Sequence, residues 1–301
     1  MAISDLSAQA SVEYTWQDYF EMTKPKVVLL IAFTALVGML LSTPGFVPWQ
    51  PLLFGLAGIS LAAASGAVIN HVIDQRIDAV MDRTSWRPIP SGHMDTSHAM
   101  SFALLLGTIA MGLLYFLVNP LTALLTFFAL IGYAVIYTRY LKRSTPQNIV
   151  WGGLAGAAPP LLGWSAVTGE VTTEAFLLLL IIFVWTPPHF WPLAIHRRDD
   201  YARADVPMLP VTHGIDFTKQ QVLIYAVMLL AVSLLPVAIH MSGVLYLVGA
   251  LLLGLGFIRH AVILLHSEGR THAMKTFGFS ILYLSLLFSL LLADHYLSMF
   301  I

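Results

Sequence analysis

Apolar residues gather into nine stretches, at roughly 26–43, 51–72, 98–118, 121–138, 147–167, 174–195, 220–239, 242–264 and 275–296. Each is close to the ~20 residues that carry a helix across ~30 Å of hydrocarbon. The ten-residue alternation of barrel strands is absent. The expected class is therefore an all-α polytopic membrane protein, a nine-helix transmembrane bundle. Asn119-Pro120 and Met241-Ser242 are short enough to make tight hairpins of the flanking stretches. Pro187, Pro188 and Pro192 predict a kinked or broken sixth helix, because each removes a backbone donor. Gly152, Gly153 and Gly156 read as a small-residue packing seam, and Gly163 with Pro159 and Pro160 as a bend. Residues 1–20 are polar and lack the apolar core of a signal peptide. Residues 10–22 read as an amphipathic interfacial segment, so 1–25 forms an N-terminal segment and 26–301 one transmembrane domain.

Charge sharpens this picture. Only 10% of the 301 residues are charged against 58% hydrophobic, with mean hydropathy +0.79, net charge −1 and no cysteine. A soluble domain, a nucleic-acid binder and a disulfide-stapled module are thereby excluded. If odd spans run outward, all 15 Lys and Arg fall on one side and none on the other. The positive-inside rule then predicts a cytoplasmic N-terminus and a periplasmic C-terminus, as in a multi-pass protein of a bacterial inner membrane.

Chemistry is expected where the charge is. Asn70, Asp74, Asp78 and Asp82 recur every four residues at the end of the second stretch. On a helix each lies about 40° round and 6 Å along from the last, which makes one acidic stripe. Arg76, Arg83 and Arg87, or a divalent cation with oxygen ligands, would offset its self-repulsion. A second cluster, Asp199, Asp200 and Asp205, follows the sixth stretch among Arg197, Arg198 and Arg203. Two acidic clusters with a basic rim suit a substrate that is apolar at one end and a diphosphate at the other, an isoprenyl diphosphate. A charged cytoplasmic loop is the plain alternative, and a secondary transporter is a rival from another class.

The motifs carry a resemblance across nearly the whole chain. They are Thr-Lys24-Pro-Lys26-Val; Asn70-x₃-Asp74-x₃-Asp78-x₂-Met-x-Arg83-Thr-x₂-Arg87-Pro; Tyr137-Thr-x₃-Lys142-Arg143-x-Thr-x₂-Asn148; Gly152-Gly-x₂-Gly-Ala-x-Pro-Pro; Pro188-His189-Phe-Trp; and Asp200-Tyr-x₃-Asp205-Val-Pro-Met-Leu-Pro. In these the chain resembles the UbiA superfamily of intramembrane prenyltransferases, and the last two are similar to its heme-modifying branch rather than to the quinone and chlorophyll branches. His71 and His196 stand where the wider superfamily carries Asp.

The resemblance implies transfer of a farnesyl group from farnesyl diphosphate, with water, to a vinyl group of heme b, giving heme O and diphosphate. Heme is then substrate rather than cofactor, and Mg²⁺ is the implied cofactor, on Asn70, Asp74, Asp78 and Asp200. Catalytic roles are implied for Asp74, Asp78, Asp200, Arg83, Lys142, Arg143 and Tyr137. Substrate contacts are implied for Lys24, Lys26, Arg87, Asn148, His189, Trp191 and His71, with His213 a further histidine candidate. A terminal oxidase or heme A synthase is the implied downstream partner. A prenyltransferase of the same superfamily acting on a quinone precursor is the nearest alternative.

Overall fold

A computed structural model describes residues 14–298 as helices and short connections. The short helix α1 (Trp16–Met22) opens on a reciprocal cap, in which Thr15 Oγ1 accepts from Asp18 N while the Asp18 carboxylate accepts from Thr15 N. Trp16 and Phe20 are exposed on it, as an interfacial segment requires. Residues 10–13 of that expected segment lie outside the described residues. The chain then turns by 51° into α2 (Pro25–Leu41).

A π-helical turn, Pro51–Gly55, leads into α3 (Leu56–Val80), and α4 (Thr96–Leu117) follows. Helix α5 (Pro120–Ile131) runs on through a ten-residue π-helical segment, Gly132–Leu141, into the single turn α6 (Lys142–Ser144). Next come α7 (Asn148–Ala157) and α8 (Pro159–Thr168), then the long α9 (Thr173–His196). Two short helices, α10 (Arg198–Arg203) and α11 (Leu209–Thr212), precede α12 (Ile215–Ala238), α13 (Val244–His266) and α14 (Ala273–Leu297).

Every apolar stretch is helical, but not every one is a single straight span. Among the described residues seven helices are long and apolar enough to cross a bilayer, or eight if α1 with α2 counts as one broken span. The fifth stretch divides into α7 and α8 at Ala158, where Pro159 and Pro160 open the second helix at the place the sequence marks for a bend. The sixth stretch is not broken. Helix α9 runs unbroken through Pro187, Pro188 and Pro192, all buried against neighbouring helices. Thr186 Oγ1 donates to Ile182 O, giving one carbonyl in that region an extra partner.

In hydrocarbon, apolar contact alone does not pull helices together, so close backbone approach and polar links carry more weight. At the α2–α8 crossing the backbones touch. A Cβ on Gly38 would stand 2.0 Å from Pro160 O, and one on Gly163 would stand 2.0 Å from Ala35 O. Gly163 is therefore a contact glycine rather than a hinge. Asn119 caps α5 by accepting from Thr122 N and reaches across to donate to Ser165 O. The turn between α12 and α13 is tied to α14, where buried Asp294 accepts from Gly243 N and Tyr246 N. These links fix the far ends of the helices, while the acidic motifs at the ends of α3 and in α10 come together at the other end of the bundle.

Candidate functional site

Asn70, Asp74 and Asp78 share one face of α3 as the spacing predicts, but Asp82 does not continue the stripe: the helix ends at Val80 and Met81 turns extended, so Asp82 is exposed beyond it. Asn70, Asp74 and Asp78 are 5%, 1% and 3% exposed, so these are interior polar groups and not a solvated helix end. Burial on this scale needs partners, and each residue has one from a different element. Lys24 Nζ donates to Asn70 Oδ1 (2.5 Å), Lys142 Nζ to Asp74 Oδ2 (2.5 Å) and Arg87 Nη1 to Asp78 Oδ2 (2.6 Å). Asn70 Nδ2 also donates to Asp74 Oδ2 and to Thr138 Oγ1. Arg143 stands 3.9 Å from Asp74 Oδ1 and donates to Ile73 O.

Local backbone makes these reaches possible. Lys24 adopts left-handed angles (φ 52°, ψ 61°), which cost a non-glycine residue about 1–2 kcal/mol. That conformation creates the α1–α2 bend and turns the amine inward to Asn70. The π-helical segment carries Tyr133, Tyr137 and Thr138, and such segments recur at functional sites. Tyr133 and Tyr137 stack at 5.9 Å and 17°, and the Tyr137 ring fits against Gly152, where a Cβ would come within 2.3 Å.

The second cluster meets the first through one arginine. Arg203 Nη2 donates both to Asp200 Oδ1 within α10 and to Asp82 Oδ2 (2.7 Å) beyond the end of α3. Asp200 is buried, with Arg197 3.6 Å away. Asp199 points elsewhere: Arg270 grips it through two 2.8 Å hydrogen bonds, which hold its carboxyl below the usual range. Burial pushes the Tyr201 phenol upward, and the nearby Arg83 charge opposes that push.

An apolar tunnel of about 240 Å³ begins at Lys24 and runs between α2, α3, α5, α7, α8 and α9. Tyr133, Trp185, Ile59, Thr126 and Leu162 are among the residues that line it. Gly156 also lines it, and a Cβ there meets nothing within 4 Å. The expected glycine seam is thus split: Gly152 and Gly153 pack on Tyr137 and Thr186, and Gly156 keeps a wall open.

Among the described residues no three His, Cys, Asp or Glu side chains stand close enough to hold a metal, and basic side chains occupy one oxygen of Asp74, Asp78 and Asp200. Around the two acidic clusters three buried oxygens nevertheless accept no hydrogen bond: Asp74 Oδ1, Asp200 Oδ2 and Asn148 Oδ1, the first two with an arginine nitrogen at 3.9 and 3.6 Å. Unpaired buried acceptors of this kind are rare, and hard oxygen donors are what Mg²⁺ takes.

The remaining candidates divide. Asn148 is fully buried and donates to Lys142 O, which puts it beside the stripe. Arg83 and Lys26 are exposed and form no ion pair among the described residues. His71 is buried with both ring nitrogens sealed and unpartnered. Trp191 packs edge-on against Tyr225 of α12 at 5.2 Å and is not part of the tunnel wall. His213 is exposed and packs on Phe217. Sequence reasoning passed over Arg203 as a bridge, although its i,i+3 spacing from Asp200 signals the pair. It also gave no role to Tyr133, which lines the tunnel, or to Thr138, whose Oγ1 accepts from Asn70 Nδ2; both stand on the π-helical segment.

The chain is similar to known proteins in sequence and in fold. The profile of the UbiA prenyltransferase family matches residues 31–288. The protoheme IX farnesyltransferase of Thioalkalivibrio sulfidiphilus is 66% identical over 299 residues, covering 99% of each chain. That of Nitrosococcus oceani is 58% identical over 286 residues, 95% of this chain and 96% of that one. Among solved structures, a digeranylgeranylglyceryl phosphate synthase superimposes with a TM-score of 0.79 at 19% identity, over 93% of this chain and 98% of the other. A UbiA homolog from Archaeoglobus fulgidus bound to GPP and Mg²⁺ gives 0.60 at 15% identity, over 91% and 99%.

Proposed function

The chain belongs to the UbiA prenyltransferase family, and on that premise we propose that it farnesylates protoheme IX, using farnesyl diphosphate and water to produce heme O and diphosphate. The observation that carries this reading is the position of Lys24, which belongs to two features at once. Its amine bonds the first residue of the carboxylate stripe, and its stem forms the entrance of the apolar tunnel. A diphosphate at the stripe therefore leaves its prenyl chain nowhere better to lie than along the tunnel.

Asp74, Asp200 and Asn148, through their unpaired oxygens, with Asn70 and Asp78 beside them, are the residues that would hold Mg²⁺. Bound there, it would neutralise the charge that grows on the departing diphosphate. Lys24, Arg87, Lys142 and Arg143 now bond an amide oxygen, carboxylates or backbone from the same rim. As substrate arrives they exchange those partners for phosphate oxygens, and Arg83 and Lys26 add free cationic donors from outside. Tyr137 and Tyr133 offer stacked π faces to the allylic cation left at the tunnel mouth. The apolar walls keep water from that cation until the vinyl carbon of heme has attacked it. Water then captures the cation formed beside the pyrrole.

The same reading places the catalytic rim at the cytoplasmic face, with the N-terminus cytoplasmic, nine crossings and a periplasmic C-terminus, in one domain over 26–301. Its products would feed a terminal oxidase or a heme A synthase. The test is direct. Membranes holding the expressed protein, supplied with heme b, farnesyl diphosphate and Mg²⁺, are read by pigment mass. A farnesyl-dependent gain that disappears in Asp74→Ala supports the reaction. Absence of the gain, or full activity in that variant, refutes it, and a prenylated quinone precursor in place of heme would move the chain to the other branch.

A further inference from the structure

Two histidines compete for the heme, and their surroundings differ. His71 has both nitrogens sealed. His189 is held by three contacts. Its ring lies between Trp185 (4.0 Å, 14°) and Phe277 (4.6 Å, 26°), so both faces are covered. Its Nδ1 is 2.7 Å from Ser280 Oγ. That hydroxyl is also 2.6 Å from Phe277 O, to which it donates.

A serine has one hydroxyl hydrogen. With that hydrogen on Phe277 O, Ser280 Oγ can only accept from His189, so Nδ1 carries the ring proton. The reverse assignment would leave two oxygens 2.6 Å apart with no hydrogen between them. In the neutral ring the lone pair therefore sits on Nε2. This nitrogen has no partner among the described residues, and unlike those of His71 it is not sealed from solvent. Trp185, one turn away on the same face of α9, lines the tunnel, so His189 follows it toward the end that carries Asp200.

Resting on heme as the acceptor, we propose that His189 Nε2 is an axial ligand of the substrate's iron and that Ser280 is the positioning residue that keeps the lone pair there. The step is coordination alone: Nε2 donates its pair to iron, and no proton or electron is exchanged. Metal-bound histidines characteristically donate their other ring N–H to an acceptor, which fixes tautomer and orientation, and Ser280 is that acceptor. A ring clamped on both faces cannot turn to shuttle a proton, but it presents one nitrogen edge-on. An iron held there brings the porphyrin to the tunnel mouth, where a vinyl group can meet the prenyl chain.

The test titrates heme b into the purified full chain in lipid nanodiscs without prenyl donor, and reads the Soret band and the ferrous iron–nitrogen vibration. The wild type is expected to show a histidine-ligated spectrum. His189→Gly should lose that signature and regain it with added imidazole. Ser280→Ala should keep heme but bind it about 10-fold more weakly, with the vibration moved to lower frequency, and Ser280→Thr should restore both. An unchanged spectrum in His189→Gly overturns the ligand assignment even while heme O is still made. If His189→Gly does not fold, unchanged affinity and vibration in Ser280→Ala overturn it instead. Failure of the wild type to farnesylate heme refutes the reaction, and that result is separate from a histidine-dependent spectrum.

Discussion

Gly156 offers a test of the tunnel that leaves the catalytic groups untouched. It lies eight residues beyond Asn148, about 12 Å along the helical path at 1.5 Å per residue, so it faces the distal part of a prenyl chain whose diphosphate sits at the stripe. A Cβ there meets open space, and Gly156→Val should therefore fold normally while filling the tunnel. If the valine displaces one isoprene unit, five carbons lose their place. At about 0.8 kcal/mol per carbon removed from water, the upper bound is ~4 kcal/mol, near 1,000-fold in affinity. Farnesyl diphosphate waiting in lipid has already left water and forfeits less, so a 10–100-fold rise in KM is the working expectation. Geranyl diphosphate, one unit shorter, should be nearly unaffected, which reverses the preference between the two donors. The assay is steady-state kinetics with each donor at saturating heme. An unchanged KM for farnesyl diphosphate, or equal losses with both donors, would show that the chain does not lie along α7.

The contact glycines should behave oppositely: Gly163→Ala drives a methyl to within 2.0 Å of Ala35 O and should lower thermal stability by at least the 1–3 kcal/mol of an overpacked core, with wild-type melting counting against the close crossing. Lys142→Met leaves Asp74 buried without its cation and should cost roughly 3–5 kcal/mol; Mg²⁺ with inorganic diphosphate should recover more melting temperature in this variant than in wild type, and equal shifts would deny that the cation stands in for the metal. Chelation of divalent ions should abolish turnover and leave heme binding to His189 intact, as read by the Soret band. Asp199 has its folded pKa lowered by Arg270, so its tie between α10 and the α13–α14 turn is present above the ordinary carboxylate range and is lost only as pH falls through the lowered value; Asp199→Asn should remove that acid sensitivity from limited proteolysis of the turn.

How much of this was legible in the sequence depends on the range of each interaction. The stripe is a property of one helix, so its spacing alone places Asn70, Asp74 and Asp78 on one face, and the observed burial adds only that the face is interior. The hairpins at Asn119 and at Met241-Ser242 follow in the same local way. Prolines mislead because their effect is decided by neighbours. Three of them in α9 leave the helix intact where packing surrounds it, while Pro159 begins a new helix at the point where α8 must meet Gly38 backbone to backbone.

Glycines show the same limit more sharply. Gly152 and Gly156 occupy equivalent places in a small-residue pattern, yet one supports Tyr137 and the other leaves the tunnel open, and only the partner helix decides which. The farthest-reaching case is His189. Its motif marks it as polar in an apolar helix, but its tautomer is set by a serine 91 positions away, on a helix with no motif of its own. A prediction that tests Ser280 therefore tests something that no reading of the chain around His189 contains. If Ser280→Ala moves the iron–nitrogen vibration, the heme half of the site is defined by tertiary contact, just as the diphosphate half is defined by a four-residue repeat.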